Sequence, residues 1–429
     1  MLKVAFYTLG CKVNQNETGA LARLFEENGF ALSDTDYADI YIVNSCTVTN
    51  GGDKKSLQWL RHAKSVNSKA ITVLTGCYPQ AFPDIAAQIS EADIITGTSN
   101  RKNILNHVIK FIQNKEKIVD ILPHTDNEIY EELPTEKLLH HTRAFIKIED
   151  GCDRHCTYCV IPRARGAVRS RSEQSILNEV NELVSYGYKE MVITGVNLSS
   201  YGKDTNTSLE EIVVKIAKID GVRRIRLGSL EPDLITDNFI NTLCEVDKLC
   251  RQFHLSLQSG CNATLKRMAR LYTKEQFLSV VDKLRCAFPD AVFTTDIIVG
   301  FPMESDDDFN ESLEIVQNVS FLKVHAFSYS QREGTPATKL NGQISENLKS
   351  VRLKSMIECT DTVREKVIKN MIGTSAQVLL EGPVNAHTFT GYTKSYVPIL
   401  VKAQGHKVGD IINVQLDSYN GNRCTAKPI

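Results

Sequence analysis

Gly151–Cys159 reads GCDRHCTYC and sets Cys152, Cys156 and Cys159 at CxxxCxxC spacing within one short loop. A loop that tight gathers three thiolates without long-range folding. Three soft ligands suit an iron–sulfur cube, which asks for one thiolate per iron and here leaves a fourth iron open to a non-protein ligand. A structural zinc site takes four protein ligands, usually as two separated pairs. No fourth cysteine lies near this loop, and His155 sits inside it, so the cluster is preferred to zinc and to unliganded thiols.

The loop follows RAFIKIE (143–149), the first of six strand candidates in an array. The others are EMVITG (190–195), RRIRLGS (223–229), FHLSLQ (253–258), VFTTDIIVG (292–300) and LKVHAFS (322–328). Helical patterns separate them, among them 175–187, 209–219 and 274–288. Six βα repeats predict a partial TIM-like barrel with its reactive groups at the strand C-termini. The cysteine loop stands at that mouth.

Toward the N-terminus the same alternation recurs three times. KVAFYTLG (3–10) ends at Cys11 and precedes a predicted helix from about Glu17 to Asn28; DIYIVNS (39–45) ends at Cys46 and precedes one from about Asp53 to Val66. AITVLTG (70–76) ends at Cys77, with a helix near Pro83–Ser90. Continuous apolar runs of this kind read as buried parallel strands, and open α/β sheets hold ligands at the carboxyl ends of their strands. Cys11, Cys46 and Cys77 are therefore expected to converge. One such cysteine is ordinarily a buried thiol; three in the same structural place point to a second metal site.

Residues 121–139, polar and acidic around EIYEELPTEK, read as a linker. A long helical pattern, about Glu346 to Asn370, closes the barrel region. SAQVLLEG (375–382), FTGYTKSYVPILV (389–401) and GDIINVQLD (409–417) then suggest a small β-barrel of the oligonucleotide-binding sort. There Tyr392 and Tyr396 are candidates to stack on bases while lysines follow phosphates. The fold class is α/β, divided as 1–120, 121–139 (linker), 140–370 and 371–429.

Composition agrees. A chain of 429 residues suits two or three domains, and 42% apolar with 24% charged residues is globular. No apolar run is long enough to span a membrane, and the N-terminus reads as a first strand rather than a signal peptide. Twelve cysteines without an export signal imply a reducing cytoplasm, where thiols serve metals or catalysis. A net charge of −1 does not announce a nucleic-acid binder and counts against an RNA partner unless a local basic surface answers it.

The whole chain resembles the methylthiotransferases of the radical S-adenosylmethionine (SAM) superfamily. The matching stretches are GCKVNQNE (10–17), NSCTVT (44–49), TGCYPQ (75–80), IEDGCDRHCTYCVIPRARG (148–166), SLQSG (256–260) and DIIVGFPMES (296–305). The resemblance implies an N-terminal three-cysteine domain, a radical SAM partial barrel and a small tRNA-binding TRAM barrel, OB-like in form. It implies two [4Fe–4S] clusters. The central one, on Cys152, Cys156 and Cys159, chelates SAM and reduces it to a 5′-deoxyadenosyl radical. The auxiliary one, on Cys11, Cys46 and Cys77, carries sulfur and accepts a methyl group from a second SAM.

RIRLGSLEP (224–232), FSYSQREGTPA (327–337) and GYTKSYVPILV (391–401) look most like the branch that methylthiolates C2 of N6-threonylcarbamoyladenosine at tRNA position 37. Other branches act on isopentenyladenosine in tRNA or on a ribosomal-protein aspartate; outside the enzymes, the alternative is a zinc-containing RNA-binding protein. SLQSGCN departs from the family pattern, where Ser and Asp follow QSG, which puts Cys261 and Asn262 in question. The implied partners are the anticodon stem-loop and an electron donor such as flavodoxin or ferredoxin, and nothing demands more than a monomer.

Beyond the clusters, Tyr158, Gly195, Asn197 and Gln258 are candidates to line the SAM pocket, weighed against shielding of the cluster by Tyr158 and ordinary strand-end turns for the rest. Arg163, Arg165, Arg169 and Arg171 are candidates to hold phosphates or the SAM carboxylate, with a solvated face equally expected for the outer two. Cys244, Cys250, Cys286, Cys359 and Cys424 are expected to be packing residues.

Overall fold

A computed structural model describes residues 1–125, 128–133 and 142–429, so part of the expected linker 121–139 lies outside the described residues. The N-terminal portion is a six-stranded parallel sheet. Its order is Ala31–Leu32, Lys3–Thr8, Ile40–Ser45, Ile71–Gly76, Ile94–Thr96 and Ile118–Asp120. The three long central strands are the apolar runs expected. The flanking strands are two or three residues each, too short to leave a periodic signal. The first helix, Lys12–Glu27, begins five residues before its expected start, and Cys11 is its N-cap. The Asn50–Val66 helix starts on a Thr49 cap whose side chain accepts from Gly52 N.

All six barrel strands form, at Arg143–Lys147, Glu190–Thr194, Arg224–Leu227, Gln252–Leu255, Val292–Val299 and Lys323–Ser328. They run parallel in chain order, and the sheet is partly open. It is interrupted at Gly228, where Arg224–Leu227 ends and Ser229–Leu230 begins pairing with the next strand. Helices on the outer face carry Ser or Thr caps whose side chains accept from backbone N–H groups. These are Ser172, Ser208, Thr236, Thr273, Ser305 and Ser345. Each satisfies an amide that the first turn leaves unpaired.

Five strands, joined by four antiparallel pairings and one parallel pairing, close the C-terminal barrel: Ser375–Asn385, Thr388–Thr393, Pro398–Lys402, Ile411–Tyr419 and Cys424–Pro428. The expected strand over 389–401 is therefore two strands. The chain breaks at Tyr396, whose φ of 67° lies in the left-handed region. The last strand, CTAKP, is too short and too polar to leave a strand signal in the sequence.

Three sets of contacts lock these parts together. Asn16 Nδ2 donates to Phe145 O at 2.9 Å and Thr98 Oγ1 to Ala164 O at 2.6 Å, joining the N-terminal sheet to the barrel. Arg332, 2% exposed, leaves the barrel to bond Thr47 at 2.5 Å, Asp53 at 2.6 Å and Asn50. Arg143 pairs with Glu381 at 2.7 Å, and Arg226 donates to Lys394 O at 3.0 Å, seating the C-terminal barrel. Among the described residues no helix is long and apolar enough to cross a membrane.

Candidate active site

Both cysteine triads line one cavity of about 740 Å³. The N-terminal three arrive there because each follows a strand of the same parallel sheet. Cys11 caps a helix, Cys46 follows Ser45 directly, and Cys77 opens the helix after Gly76. Gly10 makes the approach possible: at φ 101°, a Cβ there would stand 2.7 Å from Cys46 Cβ. The central loop is held similarly, since a Cβ on Gly151 would meet Ala167 O at 1.8 Å. Cys152 N donates to Gly166 O at 3.0 Å and folds the loop back on itself.

Behind the N-terminal triad lies a buried ionic cluster. Glu17, fully buried, accepts from Lys147 at 2.7 Å and Arg165 at 3.0 Å and forms an ion pair with Arg101 at 2.9 Å. Lys147 and Arg165 also reach Asp150, at 2.6 and 3.3 Å. Burial alone would raise the Glu17 carboxyl, but Arg101, Arg165 and Lys147 bring it down to about 2. Arg165 then donates from Nε to Cys77 Sγ at 3.2 Å and from Nη2 to Asn14 Oδ1 at 2.7 Å. The central triad has a counterpart: Arg270 Nη1 donates to Cys156 Sγ at 3.2 Å, while its Nη2 contacts Glu231.

The donor set fits iron–sulfur cubes. Two sulfurs on a tetrahedral zinc sit about 3.8 Å apart at a bond of about 2.3 Å. Among the described residues, one group of three has ligand atoms all within 4.8 Å of one another, His254, Asp296 and His325, and neither cysteine triad is so tight. Wider spacing is what one thiolate per iron requires. Burial foremost pushes Cys46 and Cys159 up to about 12 and Cys152 to about 11, with neighbouring thiols adding to each. Such crowded thiols ionise readily only on binding a metal.

All four residues expected in the SAM pocket, Tyr158, Gly195, Asn197 and Gln258, line the cavity. Asn197 N donates to Glu149 Oε2 at 2.7 Å and its Nδ2 lies 3.7 Å from Cys152 Sγ. The Asn197 Oδ1 is buried without a hydrogen-bond partner, an acceptor fit for an amino group such as that of SAM. Tyr158 meets Phe301 edge to face, with centroids 6.4 Å apart. Gln258 has φ 68° and joins the edge of the Val292–Val299 strand through Asp296 O at 2.8 Å.

Several expectations need correction. Arg169 and Arg171 are not on a solvated face: Arg171 is buried against Glu179 and pairs with Glu132 at 3.0 Å. Arg165 is spent on Glu17 and Cys77, and Arg163 on the Ala81 and Glu333 carbonyls. Tyr392 and Tyr396 stack on each other at 4.8 Å, with Arg143 above both rings and Arg226 above Tyr396. These contacts help to seat the barrel, and Tyr396 also lines the cavity. Cys244 and Cys286 are exposed, whereas Cys250 and Cys424 are buried as expected. Cys261 is buried and Asn262 bonds Glu275 at 2.9 Å and Lys274 N at 2.7 Å, which gives both a local structural role.

The cavity also holds residues for which the sequence alone suggested no role. Arg270 is one. Another is the His254–Asp296–His325 group, in which His254 bonds Thr294 at 3.0 Å and Asp296 at 3.2 Å. Lys12 is a third: burial and the nearby charges of Arg226 and Arg143 lower its ammonium to about 8.

Comparison with known proteins agrees with this arrangement. Residues 146–316 match the radical SAM superfamily, and residues 3–97 match the uncharacterized protein family UPF0004. A threonylcarbamoyladenosine tRNA methylthiotransferase MtaB of Bacillus subtilis is 36% identical, covering 97% of this chain and 94% of its own. The MtaB of Thermotoga maritima is 39% identical over 98% of this chain and 95% of its own. The chain belongs to the MtaB-like radical SAM methylthiotransferases.

It is accordingly a radical SAM enzyme. A tRNA-2-methylthio-N(6)-dimethylallyladenosine synthase of Clostridium novyi is also similar, at 34% identity over 98% of this chain and 95% of its own. Among solved structures, the radical SAM methyltransferase TsrM of Kitasatospora setae shares the fold. It has a TM-score of 0.58 at 14% identity, covering 79% of this chain and 77% of that one.

Proposed function

We propose that this enzyme methylthiolates C2 of N6-threonylcarbamoyladenosine at position 37 of tRNA. The observation that carries the reading is the opening of two separate cysteine triads onto one cavity. A methylthio transfer needs a radical source and a sulfur source within reach of one carbon, and this layout provides for both. Bound there, the clusters and SAM would supply an electron for SAM cleavage, the sulfur and the methyl group.

The chain's own part is to hold and shield. Cys152, Cys156 and Cys159 hold the SAM-chelating [4Fe–4S] cluster, and Cys11, Cys46 and Cys77 the auxiliary one. Arg270 and Arg165 donate to one sulfur of each triad. Asn197, Gly195, Gln258 and Tyr158 bind SAM, with the orphaned Asn197 Oδ1 accepting from its amino group. Residues 1–120, 140–370 and 371–429 act as the auxiliary-cluster, radical SAM and TRAM-like tRNA-binding domains, joined by a linker over 121–139. The last of these, an OB-like barrel, grips the anticodon stem-loop. The protein works in the cytoplasm as a monomer and draws electrons from a flavodoxin- or ferredoxin-type donor.

Two measurements test this reading. Anaerobically reconstituted protein is expected to hold about eight iron and about eight acid-labile sulfide per chain. Nucleosides of tRNA from a deletion strain should lack the methylthio form of threonylcarbamoyladenosine. Unchanged nucleosides would sink the tRNA assignment, and zinc without sulfide would sink the enzyme's proposed cofactors.

A further inference from the structure

His254, Asp296 and His325 stand on three successive barrel strands, Gln252–Leu255, Val292–Val299 and Lys323–Ser328, and line the cavity that both triads share. The register sets His254 opposite Thr294 and Asp296 opposite His325. Residues two apart in a strand lie on one face, so all three side chains leave the sheet on the same side. One donor atom from each lies within 4.8 Å of the other two.

A hydrogen-bonded pair would account for His254 and Asp296, whose Nε2 and Oδ2 are 3.2 Å apart. It does not account for His325. Among the described residues that ring makes no hydrogen bond, and it packs beside His254 with centroids 5.9 Å apart. Two imidazoles and one carboxylate around one point are the ligand set of an open divalent site. At bonds of about 2.0–2.2 Å, two ligands of a tetrahedral ion stand about 3.4 Å apart. His254 and Asp296 already fit that spacing, and His325, held by no hydrogen bond, reaches it by turning its ring.

A chain of contacts fixes the His254 ring from behind. Glu190 pairs with Arg226 at 2.9 Å, Arg226 Nη1 donates to Gln252 Oε1 at 3.2 Å, and Gln252 Nε2 donates to Thr294 Oγ1 at 2.8 Å. Thr294 Oγ1 in turn lies 3.0 Å from His254 Nδ1. A partner on the far nitrogen orients a ligating imidazole and leaves Nε2 for the metal. Lys323 and Lys12 bring charge of the opposite tendency toward His325, so the ion is expected to exchange with solution.

We propose that His254, Asp296 and His325 form a metal centre of their own, holding one divalent ion of the zinc class with an open position toward the shared cavity. The site draws on none of the six triad cysteines. Its open position takes water or an oxygen or nitrogen donor of the molecule in the cavity. It does not depend on which base that molecule carries.

The test uses full-length protein with its clusters reconstituted, brought to equilibrium dialysis against micromolar zinc. Bound zinc, iron and sulfide are measured on the same sample. Wild type is expected to bind about one zinc per chain with iron and sulfide unchanged. Asp296→Asn and His325→Gln should each weaken zinc binding by about tenfold or more while keeping wild-type iron. The zinc-edge absorption spectrum of the wild-type protein should show nitrogen and oxygen neighbours only. Wild type without bound zinc, or variants that bind as wild type does, would overturn the assignment. Sulfur neighbours, or zinc gained only where iron is lost, would overturn it too by placing the ion on cysteines.

Discussion

Arg165 Nε donates to Cys77 Sγ at 3.2 Å, so a buried guanidinium links the N-terminal triad to the ionic cluster under the barrel. The same side chain bonds Glu17 and lies 3.3 Å from Asp150. Arg165 follows the CxxxCxxC loop in sequence yet serves the other triad.

Arg165→Met is expected to remove the auxiliary cluster and spare the central one. Breaking a buried ion pair by deleting one partner costs about 3–5 kcal/mol, and here Asp150 and Glu17 both lose a ligand. Iron should fall from about eight to about four per chain, with a lowered melting temperature. Full iron in the variant would show that Arg165 does not support Cys77.

For Arg270 the expected effect is electronic. Its donation to Cys156 Sγ stabilises negative charge on that sulfur, and hydrogen bonds to cluster sulfurs are among the factors that set reduction potential. Arg270→Gln should retain iron but make the central cluster harder to reduce, slowing SAM cleavage. A redox titration with the same midpoint as wild type would contradict this.

The two triads and the fold around them were legible for one reason. In parallel α/β sheets the ligands stand at strand ends, so Cys11, Cys46 and Cys77 announced themselves by following apolar runs. Arg270 was not legible because it reaches Cys156 from a turn that lies 114 positions away in the chain. Tyr392 and Tyr396 were ambiguous in sequence: aromatic and basic residues suit RNA, and they suit an interface with Arg143 and Arg226 equally well.

The thiols make a prediction about pH. Burial foremost raises Cys46 and Cys159 to about 12 from an ordinary value of 9.0. A thiol raised in the folded state favours folding below its unfolded value, and that advantage is lost as pH climbs toward the folded value. Cluster-free protein should therefore lose stability between about pH 9 and pH 12 through these groups. Alkylation of Cys46 and Cys159 at pH 8 should be far slower than that of exposed Cys244 and Cys286. Equal rates at all four would show that the triads are open and unperturbed.

Arg332 tests whether the two halves of the cavity must be held in register. It reaches from the barrel to Thr47, Asn50 and Asp53, just beyond Cys46. It touches neither triad, so its loss leaves each set of cysteines intact. Arg332→Ala strands Asp53, which burial already disfavours as a carboxylate, and frees the Cys46 loop to shift against the barrel. A shift of about 1 Å at a reacting centre can cost about a hundredfold in rate. The variant is therefore expected to keep about eight iron and to cleave SAM, while yielding much less methylthiolated product per 5′-deoxyadenosine formed. If product and deoxyadenosine fell together, Arg332 would be supporting the radical step itself, and the clamp would not be what brings the second triad to the substrate.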